Sequence, residues 1–110
     1  MRVSSRKEPK TAVVAVNEGR ILPEVINRVY GATSLDLASL ASGKLEGVVS
    51  VNNDMTAIAA GILIVNEAGG RILALSQKDT RESDIDLALA EGNLVAGNAE
   101  ICKKVFDLTK

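Results

Sequence analysis

The side chains that could do chemistry in this sequence are carboxylates, hydroxyls, lysines and arginines, helped by backbone amides. The sequence contains no histidine and a single cysteine, Cys102. Without histidine there is no imidazole base, no Ser-His-Asp triad and no histidine-ligated metal within the chain. One cysteine cannot build a disulfide framework or a thiolate zinc site, and Cys102 is expected to be a small buried hydrophobe. Candidate sites must therefore use acidic groups, hydroxyls or amides at turns and helix starts.

The turn Gly31-Ala32-Thr33 is the first candidate binding element. Thr33 is typical of a residue that caps a helix, and Asp36 follows three positions later, as in a variant of the capping box. A helix N-terminus offers unpaired N–H groups and the positive end of a dipole, which favour an anion or a sugar hydroxyl. The Thr33 hydroxyl could equally do no more than cap its own helix, and both interpretations stay open.

The polar corner at 52–54 is the second feature of interest, because Asp54 lies between a predicted strand and a predicted helix. Its carboxylate, or the hydroxyl of Thr56, can cap the N-terminus of that helix. A further group of acids is expected in a solvated surface segment: Asp79, Glu82, Asp84 and Asp86.

Short strand-like and helix-like segments alternate along the chain and must position these groups. Strands are expected over 11–16, 47–51, 71–75 and 93–98. Helices are expected over 21–29, 33–42, 57–68 and 99–108, and the mildly helical segment 84–90 is either a further helix or an excursion between strands. The helix over 57–68 is apolar on nearly every side, which predicts burial between two layers. Alternation with short connections predicts one α/β domain over 1–110, a layered sandwich in which helices flank a mixed, mostly parallel sheet.

Charge and hydropathy exclude several kinds of partner. Thirteen lysines and arginines balance 14 acidic residues, giving a formal charge of −1 and no positive field for a nucleic acid. Tyr30 and Phe106 are the only aromatic residues, too few for a base-stacking platform. The longest apolar run, 57–65, is far shorter than the roughly 20 residues of a membrane span. We expect a cytoplasmic protein that binds neither nucleic acid nor membrane.

Three motifs occur in the order and spacing of a known family. The first is GATSLDLA at 31–38 with ASGKLEG at 41–47, the second is AAGILIVNEAGG at 59–70, and the third is LVAGN at 94–98. Together they resemble the C-terminal half of the inositol monophosphatase family, the magnesium-dependent, lithium-sensitive sugar-phosphate phosphatases. The resemblance covers roughly the whole chain and implies the C-terminal domain of that family's fold.

The resemblance also implies which residues meet the substrate. In the family, the turn that matches Gly31, Ala32 and Thr33 lies beside a sugar-phosphate ligand. An acidic residue of the family that contacts substrate hydroxyls aligns with Ser50. These four residues are the predicted substrate-binding set, and no catalytic residue is assigned.

Magnesium is the cofactor of the parent family, but the implied ligands are incomplete in this sequence. Most of them belong to an N-terminal half, a metal-binding Glu and a D-P-[IL]-D-G-T loop, that has no counterpart here. The one expected in this half, an Asp at the start of the buried helix, aligns with Ala57, whose methyl group cannot coordinate a cation. Asp54 is the candidate replacement, but a single carboxylate makes a weak magnesium site. We therefore expect no tightly bound magnesium.

Three hypotheses of function remain. The first is a phosphatase-family domain that is catalytically incompetent as this chain alone and is completed by a missing N-terminal half. The second is a degenerate domain kept for binding or oligomerisation. The third is an active magnesium-dependent phosphatase that uses Asp54 with acids of the 79–86 segment. Because the first two leave exposed a face that the other half would cover, we expect a homo-oligomer or a partner chain.

Overall fold

Five short strands form one mixed sheet in the part of the chain that the computed structural model describes, which is residues 2–5, 8, 12–16, 25–28, 33–51, 53, 55–80 and 82–109. The strands are β1 (Val13–Val16), β2 (Ile26–Arg28), β3 (Gly47–Ser50), β4 (Arg71–Ala74) and β5 (Leu94–Gly97), and their spatial order is β2-β1-β3-β5-β4. β1 pairs in parallel with β2 and β3, whereas β5 pairs antiparallel with β3 and β4. The expected mixed sheet is confirmed, with parallel and antiparallel pairings in balance rather than a parallel majority.

Four helices cover the two faces of this sheet in the described residues. They are α1 (Thr33–Ala41), α2 (Met55–Glu67), α3 (Ile85–Glu91) and α4 (Ala99–Leu108). The first three contribute to the core on one face, and α4 forms the core on the other. Because strand side chains alternate, Val48 faces the first core and Val49 the second. This arrangement confirms the expected α/β sandwich.

Helix α4 shows how the sequence pattern builds one layer. Ile101 and Val105 are buried, as their spacing predicts, and Leu108 packs against the same core while partly exposed. Lys103 and Lys104 lie on the exposed face. Each fully buried aliphatic side chain stabilises the fold by about 1.5–3 kcal/mol, so the apolar stripe is sufficient to fix the helix on the sheet.

Helices α1 and α2 approach so closely that only glycine fits at position 61. A Cβ atom added to Gly61 would lie 2.6 Å from Leu37 Cδ1 and 2.9 Å from Leu37 Cβ. The Cδ1 atom can move with a rotamer change, but the Cβ atom moves only with the α1 backbone. Gly61 therefore sets the separation of α1 and α2, whose N-terminal ends carry the candidate site.

The N-terminal residues 2–5 are tied to the far end of the helical layer. The Val3 N–H donates to Ala68 O, just beyond α2, over 3.1 Å. The Asn98 side-chain amide donates to Ser4 O over 2.8 Å, while its own carbonyl caps α4 by accepting from Ile101 N–H. The start of the chain therefore lies between the end of α2 and the start of α4.

The prediction of a helix over 21–29 is wrong where the structure describes it. Residues 26–28 form β2, whose Ile26 N–H donates to Ala12 O over 2.9 Å, while 21–24 and 29 lie outside the described residues. Pairing with β1 overrides the helical spacing of apolar residues, and the β-branched Val25 and Ile26 suit a strand.

The expectation that α2 is buried between two layers is also wrong. Ile58, Ile62 and Val65 are buried against the sheet, whereas Leu63 is 61% exposed and Ile64 39% exposed. The reason is that no described element packs on the outer side of α2. No helix within the described residues has the length and apolar character that a membrane crossing requires.

Candidate functional site

The predicted substrate-binding turn lies at the edge of what the structure describes. Helix α1 begins at Thr33, as predicted, while Gly31 and Ala32 lie outside the described residues, as does the side chain of Thr33. The contacts predicted for these three residues therefore stay predictions. What the structure provides is the position of the α1 N-terminus. In general, the first turn of a helix carries N–H groups without intrahelical partners and the positive end of the helix dipole.

Asp36, in the first turn of α1, is a buried acidic residue whose burial the capping motif did not predict. It is 2% exposed, and burial raises the pKa of its carboxyl above the ordinary value. The available signal was its place beside Leu37, on the apolar side of a short helix, which favours burial over a solvent-facing cap. A buried carboxyl one turn from Thr33 can accept hydrogen bonds from a sugar hydroxyl, or donate one when protonated.

Ser50 ends β3 and is fully buried. Its hydroxyl accepts a hydrogen bond from Asn53 Nδ2 over 2.8 Å. Asn53 Nδ2 also donates to Gly92 O over 2.9 Å, and the Asn53 N–H reaches the same oxygen over 3.0 Å. In this arrangement Ser50 helps to fix the corner before α2, and its predicted contact with a substrate stays a prediction.

Asn53 is the organising residue of this corner, and sequence reasoning did not single it out. It joins the turn before α2 to the turn after α3, where Gly92 adopts a φ of 74°. A Cβ atom at Gly92 would lie 2.0 Å from Asn53 O. Any side chain at position 92 would push the corner away, so these two residues together fix where α2 begins.

Among the described residues, the start of α2 offers no carboxylate for a magnesium ion, and the predicted role of Asp54 stays a prediction. Asp54 lies outside the described residues, and α2 begins directly after it, at Met55. Ala57, in the first turn of α2, has no oxygen in its side chain. The buried Glu46 is already engaged, because its Oε1 accepts from Val13 N–H over 2.9 Å. Within the described residues, no three acidic or thiol groups come together as a cation site.

The acids of the 79–86 segment lie at the surface or cap a helix, in agreement with the prediction of a solvent-exposed segment. Asp79, Glu82 and Asp86 are exposed, and Asp84 caps α3 by accepting from Leu87 N–H over 3.1 Å. The Asp84 carboxylate is therefore committed to the helix.

Cys102 is buried, its thiol contacts Val95 O, and burial raises its pKa to about 12, which suits packing rather than nucleophilic chemistry.

Comparison with known proteins agrees with this architecture. A sequence model of the inositol monophosphatase family matches residues 1–108. The fructose-1,6-bisphosphatase/inositol-1-monophosphatase of Thermococcus kodakarensis is 32% identical over 118 residues, which span 100% of this chain and 45% of that protein. The fructose-1,6-bisphosphatase of Pyrococcus furiosus is 46% identical over 87 residues, spanning 74% of this chain and 32% of that one.

Solved structures give the same result. The extragenic suppressor protein suhB from Bartonella henselae superposes with a TM-score of 0.80 at 31% identity, over 99% of this chain and 47% of that one. An IMPase from Thermotoga maritima, at 24% identity and a TM-score of 0.81, shares the fold over 98% of this chain and 44% of its own. This chain therefore spans about half the length, or less, of each of these four relatives. It belongs to the inositol monophosphatase family.

Proposed function

We propose that this chain is the substrate-side half of a magnesium-dependent sugar-phosphate phosphatase and that it does not hydrolyse phosphate esters by itself. Family membership supports the chemistry, and the names of the relatives point to inositol monophosphate or fructose 1,6-bisphosphate as the substrate class. The observation that carries the proposal is Ala57, which occupies the position where the family's C-terminal metal ligand is expected.

The physical reason is the height of the uncatalysed barrier. Hydrolysis of a phosphate monoester requires rate enhancements approaching ~10²¹-fold. Bound magnesium supplies much of this by activating water and neutralising charge on the phosphate and on the leaving oxygen. A chain that brings no cage of acidic oxygens to this reaction keeps binding contacts but little catalytic power.

The contribution of this chain is then to hold the sugar phosphate. Helix α1 begins at Thr33, where its first-turn amides are proposed to bind the ligand, and the buried Asp36 lies one turn further along the helix. Amides at a helix N-terminus bind an anionic oxygen, whereas a buried carboxyl discriminates among hydroxyls. The metal ions and the remaining ligands come from the complementary part of the family fold.

The outer face of α2, defined as Ala59, Ala60, Leu63 and Ile64, is the proposed contact with that complementary part. All four residues are exposed, and a cavity of about 340 Å³ lies along Leu63, Ile64, Glu67 and Ala68. The N-terminal residues reach the same end of α2 through the bond from Val3 N–H to Ala68 O. A polypeptide segment joined before residue 2 would therefore lie close to this face. In the relatives, slightly more than half of the chain lies outside the matched region.

An independent binding or oligomerisation domain is the second candidate, and the same exposed face favours it. In that case a second copy of this chain covers the outer face of α2. Purified alone, the chain is expected to self-associate, and Leu63→Lys is expected to reduce this association. A monodisperse monomer at micromolar concentration in sedimentation velocity would contradict both the self-association and the second candidate.

The test of the proposed function is phosphate release from inositol 1-phosphate and fructose 1,6-bisphosphate with magnesium. The purified chain is expected to match a heat-denatured control. A clear rate above that control, lost in Asp54→Ala, would overturn the proposal in favour of an active phosphatase. Conversely, the Ala57→Asp variant mixed with the complementary half of a relative is expected to gain activity. Ala57→Asn, whose side chain has the shape of aspartate but no charge, is the control and is not expected to gain activity.

A further inference from the structure

Strand β4 lies at one end of the sheet, where a strand normally presents unpaired backbone groups. β5 pairs with its inner side, and no strand pairs with its outer side in the described residues. Such an edge is a template for strand addition by another molecule, and soluble proteins protect it in some way. What β4 does with its outward-facing groups therefore decides how this edge behaves.

Four backbone groups of β4 are bonded by residues that follow it in the chain. The Ile72 N–H donates to Ser83 Oγ over 3.0 Å, and Ile72 O accepts from Asp84 N–H over 3.2 Å. The Ala74 N–H donates to Gln77 Oε1 over 3.0 Å, and Ala74 O accepts from Gln77 N–H over 3.0 Å. Side-chain oxygens of Ser83 and Gln77 thus replace two carbonyls of a neighbouring strand.

Two of the three residues that make these bonds, Gln77 and Asp84, are themselves held in place by further hydrogen bonds. Gln77 Nε2 donates to Asp79 O over 2.7 Å and to Glu82 O over 2.6 Å. Asp84 is fixed to α3 as its N-cap. Gln77 therefore accepts a hydrogen bond from β4 with its Oε1 atom and donates to its own loop with its Nε2 atom, so its side chain connects the loop to the strand.

We propose that Gln77, Ser83 and Asp84, here called the edge latch, keep β4 closed to strand addition, and that opening the latch lets β4 pair with β4 of a second copy of this chain. An antiparallel β4–β4 pair would satisfy the same backbone groups of Ile72 and Ala74 that the latch satisfies now. This inference does not depend on the proposed phosphatase role, because it rests on β4 and its covering residues.

The test compares Gln77→Ala/Ser83→Ala with a matched double variant, Lys78→Ala/Thr80→Ala, from the same stretch of chain. Both are made in the Leu63→Lys background, which suppresses association through the outer face of α2. Sedimentation velocity is expected to show self-association of the latch variant that is about tenfold tighter than that of the parent and of the control, since two acceptors are lost. Hydrogen exchange at the Ile72 and Ala74 amides should be fast at low protein concentration and slow at high concentration.

Restoring a hydroxyl provides the converse test. Gln77→Ala/Ser83→Thr should associate less than the double alanine variant, because the Ile72 N–H regains its acceptor. A latch variant that is folded by circular dichroism and sediments like the parent at every concentration overturns the inference. If the double variant does not fold, Ser83→Ala alone decides by the same two measurements, since it frees only the Ile72 amide.

Discussion

Replacing Gly61 by alanine tests the close packing of α1 against α2. In an open helix, Gly→Ala stabilises by about 1 kcal/mol. Here the added methyl group would lie 2.9 Å from Leu37 Cβ, an atom that no rotamer change can move. Overpacking of this kind costs about 1–3 kcal/mol, so a net loss of about 1 kcal/mol is expected for Gly61→Ala.

The assay is urea denaturation at one fixed protein concentration, with two further variants. Ala60→Gly, at the exposed neighbouring position, measures the helix-propensity difference in the same helix without the contact. Leu37→Ala alone is expected to destabilise by about 2–5 kcal/mol. In that background Gly61→Ala should cost less than in the parent protein, because Cγ and Cδ1 of Leu37 are gone, but a cost should remain, because the alanine at position 37 keeps its Cβ atom.

Two results would refute this reasoning. Gly61→Ala that is more stable than the parent protein would mean that the helices separate at no cost. Additive effects of Gly61→Ala and Leu37→Ala would mean that Cγ and Cδ1 of Leu37 do not crowd position 61. Either outcome would also contradict the inference that Gly61 fixes the separation of α1 and α2.

Three shorter predictions follow from buried polar groups. Asp36→Asn should stabilise the protein at neutral pH, because the raised pKa of Asp36 means that the folded state favours the protonated acid. The stability that this carboxyl contributes is therefore present at low pH and is lost as pH rises through its folded-state pKa. Urea denaturation at pH 3 and pH 7 should show the gain only at pH 7. Glu46→Ala should cost about 1–3 kcal/mol in urea denaturation, because it leaves the Val13 N–H without its acceptor, whereas Glu46→Gln should cost less; equal losses would refute the role of that bond. Cys102 should resist a thiol reagent at pH 8 in the native protein and react after unfolding, and prompt native reaction would contradict its burial and pKa of about 12.

Periodicity and helix-ending glycines predicted most of the fold. The strand starting at Gly47, the helix starting at Thr33 and the amphipathic α4 were all found within a residue or two, and Gly43 and Gly69 have φ values of 82° and 88°, as helix-ending glycines require. The segment 26–28 was mistaken for helix because its spacing fits both patterns, and only its pairing with β1 selects the strand.

The candidate site was less predictable because its bonds join distant parts of the chain. Asn53 meets Gly92 across 39 positions, and nothing in the local sequence around 53 indicates that contact. The burial of Asp36 likewise depends on the layer that covers α1 rather than on its place in a capping motif. By contrast, the identity of Ala57 could be read directly from the motif, because an alignment position needs no tertiary information.

The docking of the first residues has a consequence for how this domain is made in the cell. Val3 bonds to a carbonyl 65 positions later, and Ser4 bonds to a side chain 94 positions later. A ribosome synthesises both bonding partners, the Ala68 carbonyl and the Asn98 amide, long after residues 3 and 4. The bonds of Val3 and Ser4 therefore form only after most of the domain has been synthesised.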